Sequence, residues 1–296
     1  IIDKVVASYP VGFNDFALVY FPDFVEVYGQ EEGRWDLSIA ALERYTPYST
    51  AEFAVRPFII AHEERMMQQM AIWARHDNEH VRRLASEGCR PQLPWGQALP
   101  GFKKDPSPVL GILEKLKADP SLYVRKSVAN NLNDISKTHP DLVARIARDW
   151  YGKNKHTDWI VKHGCRTLLK KGHRDVLDIF GLADADCVHV DDFALGAASV
   201  SLGEDMTFSF KIEAKRATPV RLEYGIDYVK ASGRRNRKIF RISDLSLKEN
   251  EKKSYTKKHP FADTSTRKHY PGTHGVTLIV NGTERGTRHF EVSAGK

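Results

Sequence analysis

One change of rhythm constrains the fold of this chain more than any other feature. Up to about residue 182, apolar residues recur at helical spacing, as in Phe58-Ile59-Ile60 followed by Met66, Met67 and Met70. A stripe with a period near 3.6 gives a helix one face to bury. From residue 183 onward strict alternation takes over. Met206, Phe208, Phe210 and Ile212 fall on one side of an extended strand, with Thr207, Ser209 and Lys211 on the other. Val220, Leu222 and Tyr224 repeat the pattern, as do Val276, Leu278 and Val280. Asn281-Gly282 then reads as a hairpin turn into His289-Phe290-Glu291-Val292. The two rhythms predict a multidomain α + β chain. Residues 1–182 are expected to form a HEAT/armadillo-like α-solenoid, and residues 183–296 a small immunoglobulin-like β-sandwich, with the boundary in 181–188.

The helical part carries a degenerate repeat. Three segments share a polar turn, a valine, basic or near-basic residues and small apolar residues: Asp77 to Ala85 around Val81, Asp119 to Val128 around Val124, and Thr157 to Cys165 around Val161. The valines lie 43 and 37 residues apart, which brackets the period of HEAT and armadillo units. Pro120, after Asp119, suits the start of a unit's second helix.

A helical wheel from Val81 puts Leu84, Ala85 and Gly88 on the core side and Arg83, Glu87 and Arg90 opposite. The same offsets select Lys126, Asn130 and Asn133 beside Asp134, then His163, Thr167 and Lys170. Stacked second helices align such positions on one concave surface. That surface is expected to present Arg83, Arg90, Lys126, His163 and Lys170, with Arg125, Lys162 and Arg166 nearby, and with Glu87 and Asp134 among them. The alternative is an ordinary solvated helix face. Two features favour a polyanion. Lys153 to Arg174 holds seven Lys/Arg against one acid, Asp158, within a chain of net charge +7. Carboxylates also repel phosphates, so keeping Glu87 and Asp134 there weakens binding unless they do chemistry or pair with a neighbour. Glu87 sits four after Arg83 and three before Arg90, so pairing is open.

The run Arg83-Leu-Ala-Ser-Glu87-Gly-Cys-Arg90-Pro-Gln-Leu-Pro-Trp95-Gly96, with Val124-Arg-Lys-Ser-Val-Ala-Asn-Asn-Leu-Asn-Asp134, resembles the AlkC branch of bacterial alkylpurine DNA glycosylases, relatives of AlkD built on HEAT-like repeats. The likeness spans about residues 35–180, and part of that branch carries an appended immunoglobulin-like domain. It implies hydrolysis of the N-glycosidic bond of cationic bases such as 3-methyladenine and 3-methylcytosine, without a cofactor and without flipping the base. It also implies catalytic carboxylates at Glu52, Glu87 and Asp134, an active-site aromatic at Trp95 and an arginine at Arg83. Alkylation makes the base a cationic leaving group, so the enzyme must stabilise an oxocarbenium-like sugar and orient a water. Glu87 and Asp134 are expected to do this, with Glu52 as electrostatic support, Trp95 stacked on sugar or lesion, and Arg83 and Arg90 on phosphates. Taken singly, Trp95 could cap a loop against the core, Glu52 could serve a helix dipole and Asp134 could close a turn.

His76-Asp77-Asn78-Glu79-His80 suggests a metal site only weakly, since no third ligand is evident; none is expected. His62-Glu63 lacks the second histidine of a zinc helix, and Walker, GxGxxG and GxSxG patterns are absent. Cys89, Cys165 and Cys187 are scattered, as in a reducing cytosol. In the second part, Lys230, Arg234, Arg235, Arg237, Lys238 and Arg241, then Lys252, Lys253, Lys257 and Lys258, form a basic run expected to grip DNA, chiefly through Arg235 and Arg237. The chain opens on Ile1 rather than methionine, so residues upstream are expected. The expected protein is a monomeric, cytoplasmic bacterial enzyme acting on double-stranded DNA. The competing reading is a non-enzymatic HEAT-repeat scaffold or a DNA-damage-binding protein.

Overall fold

The computed structural model describes residues 16–265 and 267–294, with Lys4 and Ser8. The chain divides into two compact units, Ile1–Thr167 and Leu168–Lys296. The first is helical: α1 (Tyr20–Tyr28), α2 (Trp35–Tyr45), α3 (Val55–Ala61), α4 (Glu63–Trp73), α5 (Glu79–Glu87), α6 (Pro100–Lys104), α7 (Ser107–Leu116), α8 (Leu122–Ile135), α9 (Pro140–Trp150) and α10 (Lys155–Gly164). Among the described residues no helix is long and apolar enough to cross a membrane.

Three of these helices start on the same device. Asn78, Ser121 and Asn154 hold extended backbone and accept backbone N–H groups of α5, α8 and α10 on their side chains, satisfying donors that a helix start leaves orphaned. Three, six and seven residues after each cap comes the buried face: Val81, Leu84 and Ala85, then Val124, Ser127 and Val128, then Thr157, Ile160 and Val161. The side chain four after the cap ties the helix back to the preceding turn. Arg82 Nη1 donates to the carbonyls of His76 (2.9 Å) and Asp77 (2.7 Å), and Arg125 Nη1 to those of Asp119 (2.7 Å) and Pro120 (2.8 Å). In the third copy this position is Asp158, whose Oδ1 accepts Gly152 N at 2.7 Å. Arg82 also reaches Asp119 in the next copy, Nε to Oδ2 at 2.7 Å.

The third copy is therefore offset from its sequence alignment. The caps set Thr157, not Val161, opposite Val81 and Val124. Equivalent positions away from that apolar face then run His80, Tyr123 and His156; Arg83, Lys126 and Trp159; Glu87, Asn130 and His163; Arg90, Asn133 and Arg166. The shift by one turn replaces Lys170 with Arg166. Matching valines misled the alignment because a helix buries both ends of an i, i+4 pair.

The second unit opens with α11 (Arg166–Lys170, its first two residues in the first unit) and α12 (Arg174–Ile179), then strands β1 (Val188–Leu195), β2 (Ser199–Ser201), β3 (Asp205–Ala214), β4 (Thr218–Val229), β5 (Arg235–Leu247), β6 (Lys252–Pro260), β7 (Gly272–Val280) and β8 (Thr283–Ser293). They form two sheets, β1-β3-β6 and β2-β8-β7-β4-β5. Only β2 with β8 is parallel. The alternating residues Met206, Phe208, Phe210 and Ile212, with Leu222, Tyr224, Val276 and Leu278, form one shared apolar core. Asn281 and Gly282 make the two-residue turn between β7 and β8 at φ +49° and +74°, the left-handed pair such a turn demands.

Compactness divides the chain before the helices end, and Gly282 shows why. A Cβ there would meet Gly172 Cα at 3.0 Å and Leu177 Cδ1 at 2.8 Å. Gly172 and Leu177 thus pack on the β7–β8 turn, and Gly181 lies against Pro219. Val176, Leu177 and Leu182 are buried with them. A fragment starting at residue 168 should accordingly be more stable than one starting at 183 by at least about 4 kcal/mol, the burial of Val176, Leu177 and Leu182; equal urea midpoints would refute this placement.

At one end of the β core His259 sits between two phenols, Nδ1 2.9 Å from Tyr224 Oη and Nε2 2.5 Å from Tyr228 Oη. Burial, with Arg267 and His269 nearby, pulls its pKa down to about 4. The unfolded chain therefore takes up a proton near pH 6.5 that the folded one refuses until about 4. Stability should fall as pH drops through that window, by on the order of 3 kcal/mol at its foot. Urea titrations followed by tyrosine circular dichroism should show this slope, and His259→Gln should flatten it.

Candidate active site

Three carboxylates from three separate segments converge in the first unit. Glu52 lies in the turn before α3, Glu87 ends α5 and Asp134 lies in the last turn of α8. Convergence follows from the stacking of the capped helices: α5 and α8 run side by side, so their C-terminal ends meet. Glu87 and Asp134 are each only 5% exposed.

Guanidiniums interlock them. Arg83 Nη1 binds Glu52 Oε2 and also reaches Thr50 Oγ1 at 3.2 Å, while its Nη2 lies 3.7 Å from Glu87 Oε1. Arg90 bridges the other two, Nη1 to Glu87 Oε1 at 2.5 Å and Nε to Asp134 Oδ2 at 2.7 Å. Lys137 Nζ holds the second Asp134 oxygen, Oδ1, at 2.8 Å. Thr50 donates to Glu52 Oε2 at 2.5 Å. Burial works against the charge on Arg83 and Arg90, yet the adjacent carboxylates outweigh it and raise both above the usual arginine range. The Tyr123 ring lies 4.7 Å under the Arg83 guanidinium.

The expectation for Arg83 and Arg90 changes: both are engaged by carboxylates rather than held free for phosphates. The pairing left open for Glu87 is made, to Arg83 and Arg90, and Asp134 pairs with Arg90 and Lys137. Glu52 precedes α3 by three residues and serves the ion-pair net rather than a helix dipole.

Trp95 is the opposite of a core cap. Its side chain is 96% exposed and its backbone is left-handed, φ +65°, which is strained for a tryptophan. Next to it Gly96 packs on Phe53 and Leu93, where a Cβ would lie 3.1 Å from each. An exposed tryptophan on a strained turn, in the loop that follows Arg90, offers an aromatic face to a ligand.

The remaining basic residues separate. Lys126, His163 and Arg166 come together: burial lowers the His163 pKa, and Arg166 and Lys126 lower it further. His163 stacks on Trp159 at 5.0 Å. Arg166 Nη2 donates to Asn130 Oδ1 at 3.0 Å, and Thr167 Oγ1 to Asn133 Oδ1 at 2.8 Å. Burial lowers Arg166, which lies in the fields of Asp134 and Arg90. Lys162 is exposed on α10. Arg125 is occupied at the start of α8. Lys170 is an exposed residue of the second unit. There, Arg235 is exposed, but Arg237 is committed: it lies across Gly225, pairs with both Asp227 oxygens at 2.7 and 2.9 Å and reaches Glu284 at 2.5 Å. Among the described residues no cluster of three potential metal ligands occurs; His76 Nδ1 instead accepts Asn78 N, with Nε2 3.6 Å from Glu43. A cleft of about 660 Å³ opens between Trp35, Glu43, Tyr48, His76 and His80, and none of the three carboxylates lines it.

Sequence reasoning missed Arg56, Tyr123, Lys137 and Trp159. Arg56 had a signal, a lone charge inside the apolar run from Phe53 to Ile60. Trp159 becomes visible only once the caps correct the third copy. Removing one guanidinium from the net exposes its strength. Arg90→Met leaves two buried carboxylates short of a partner and should cost about 3–5 kcal/mol in urea unfolding; adding Glu87→Gln and Asp134→Asn should recover much of that, and a loss under 1 kcal/mol for Arg90→Met alone would contradict the pairing.

With this geometry in hand, comparison with known proteins is specific. The family model described as "DNA alkylation repair enzyme" matches residues 30–176, and that described as "Uncharacterised protein YhaZ, C-terminal Ig-like domain" matches residues 189–294. The chain is 52% identical over 280 residues to the uncharacterized protein YhaZ of Bacillus subtilis, covering 95% of this chain and 78% of that one. It is similar to the structure of the Pseudomonas fluorescens alkylpurine DNA glycosylase AlkC bound to DNA containing an abasic site analog. That likeness has a TM-score of 0.91 and 40% identity over 94% of this chain and 78% of that one.

Proposed function

The chain belongs to the DNA alkylation repair enzyme family, in the branch of AlkC, and from that premise we propose that it is a monofunctional DNA glycosylase of base excision repair. Its substrates are cationic alkylated bases, 3-methyladenine and 3-methylcytosine, in double-stranded DNA, and it works as a monomer in the bacterial cytoplasm. The observation that carries this is the meeting of Glu52, Glu87 and Asp134 through Arg83 and Arg90, with Trp95 held exposed in the loop that follows Arg90. An ion-pair net built for stability alone gives no reason to hold a tryptophan in water on a strained turn.

In this reading the helical unit is a HEAT-like solenoid, whose row of Lys126, His163 and Arg166 follows the phosphate backbone. The second unit is an immunoglobulin-like sandwich assisting DNA capture, with Arg235 available for it and Arg237 structural. The alkylated base leaves as a neutral molecule, and positive charge develops on the deoxyribose. Glu87 and Asp134 face that charge and orient a water, which supplies the hydroxyl of the abasic site and gives its other proton to a carboxylate and thence to solvent. Arg83 and Arg90 hold the carboxylates in place before DNA arrives, so little reorganisation accompanies bond breaking. Trp95 stacks on the sugar or lesion, and the base need not be extruded.

A second reading, a damage binder that cuts nothing, draws on the same clasp, since guanidiniums already compensate the carboxylates. Release of 3-methyladenine from methylated DNA separates the two. Glu87→Gln and Asp134→Asn should bind DNA within about threefold of wild type and lose about 100-fold or more in single-turnover excision. Undiminished excision in both would remove their catalytic role, and a wild type that binds DNA but frees no base would leave the binder. Affinity should fall steeply with salt, as phosphate contacts require.

A further inference from the structure

Arg56 is fully buried, 0% exposed, near the start of α3. Among the described residues no carboxylate pairs with it. Its guanidinium instead donates to three backbone carbonyls: Nη1 to Gly88 at 2.8 Å, Nη2 to Arg90 at 3.0 Å, and Nε to Gln97. All three belong to the segment that begins where α5 ends and carries Arg90 and Trp95. A buried cation without a counter-ion in contact is expensive, and burial pulls this one down to about 10. The fields of Glu52 and Asp134 offset part of that penalty from a distance.

The same stretch of chain grips the segment at every level. Val55 fills the space beside Gly88, where a Cβ would meet Val55 Cγ2 at 2.6 Å. Phe53 packs on Gly96, and Glu52 takes Arg83. Arg56 adds what packing cannot: a planar fork that fixes three carbonyls at once and caps the C-terminal end of α5, where carbonyls lack helical partners. Trp95, with its side chain in water, has no core contact to hold it. Its placement depends on this backbone.

We propose that Arg56 is a positioning residue for the base-excision site: its three carbonyl bonds set the 88–97 segment, and through it Glu87, Arg90 and Trp95. This rests on the glycosylase reading above, but one of its tests does not. Arg56→Lys keeps the charge and loses the fork. It should lower single-turnover excision at least tenfold, while its dissociation constant for DNA changes less than threefold. The anisotropy decay of Trp95, taken as wild type minus Trp95→Phe, should gain a fast component in the Arg56→Lys background even without DNA. Excision within threefold of wild type overturns the proposal, and so does an unchanged Trp95 decay. If wild type releases no base, the glycosylase reading fails and the decay alone decides. If Arg56→Lys does not fold, nitrogen-15 arginine spectra of the wild type decide: hindered rotation of the Arg56 guanidinium, retained on adding DNA, supports the role, and free rotation refutes it.

Discussion

The structure depends on charge that is neutralised inside the protein rather than by solvent. Glu52, Glu87 and Asp134 are withdrawn from water, and each meets a cation within hydrogen-bond reach. Buried acids left alone would protonate or unfold the segments that carry them. Because Arg83 and Arg90 each span two carboxylates, the ends of α5 and α8 and the turn before α3 are fixed relative to one another by ionic contacts. A nonpolar core of the same size would hold these helices as firmly. It would leave nothing able to meet positive charge.

The second unit solves a different problem. Its sheets bury an alternating core, but β4 also buries its opposite face at Arg221 and Glu223, paired at 2.6 Å. The short helical stretch from residue 168 packs on the β7–β8 turn, and Gly172 and Gly282 allow contact that side chains would block. The helix-to-strand transition in sequence and the division into compact units therefore differ. A run of helical sequence can belong to the body whose surface it covers.

Much of this was legible in the residues. The strand alternation from Met206 to Ile212 and the turn at Asn281-Gly282 follow from local rules that tertiary packing rarely overrides. The wheel from Val81 joined Arg83, Glu87 and Arg90, and they do meet, although Arg90 lies three residues past the end of α5. Legibility ended where two helices had to be compared. The third copy slipped by a turn, since its register is set by the side chain of Asn154 and not by the valine that looked homologous. The Arg90–Asp134 contact spans 44 residues and has no sequence signature. Arg83, Arg90 and Arg125 proved to be committed cations, because a one-dimensional pattern shows which way a side chain points but not what awaits it.

The back-tie at the start of the capped helices has a wider implication. Arg82 and Arg125 fasten to carbonyls, and Asp158 does the same work through an amide. A bend in the main chain offers both polarities within a few ångströms, so natural selection can invert the sign of the clasp without dismantling it. A charge reversal at this position need not loosen the tie between helix start and preceding turn, and a search for the clasp through arginine alone would overlook its acidic form.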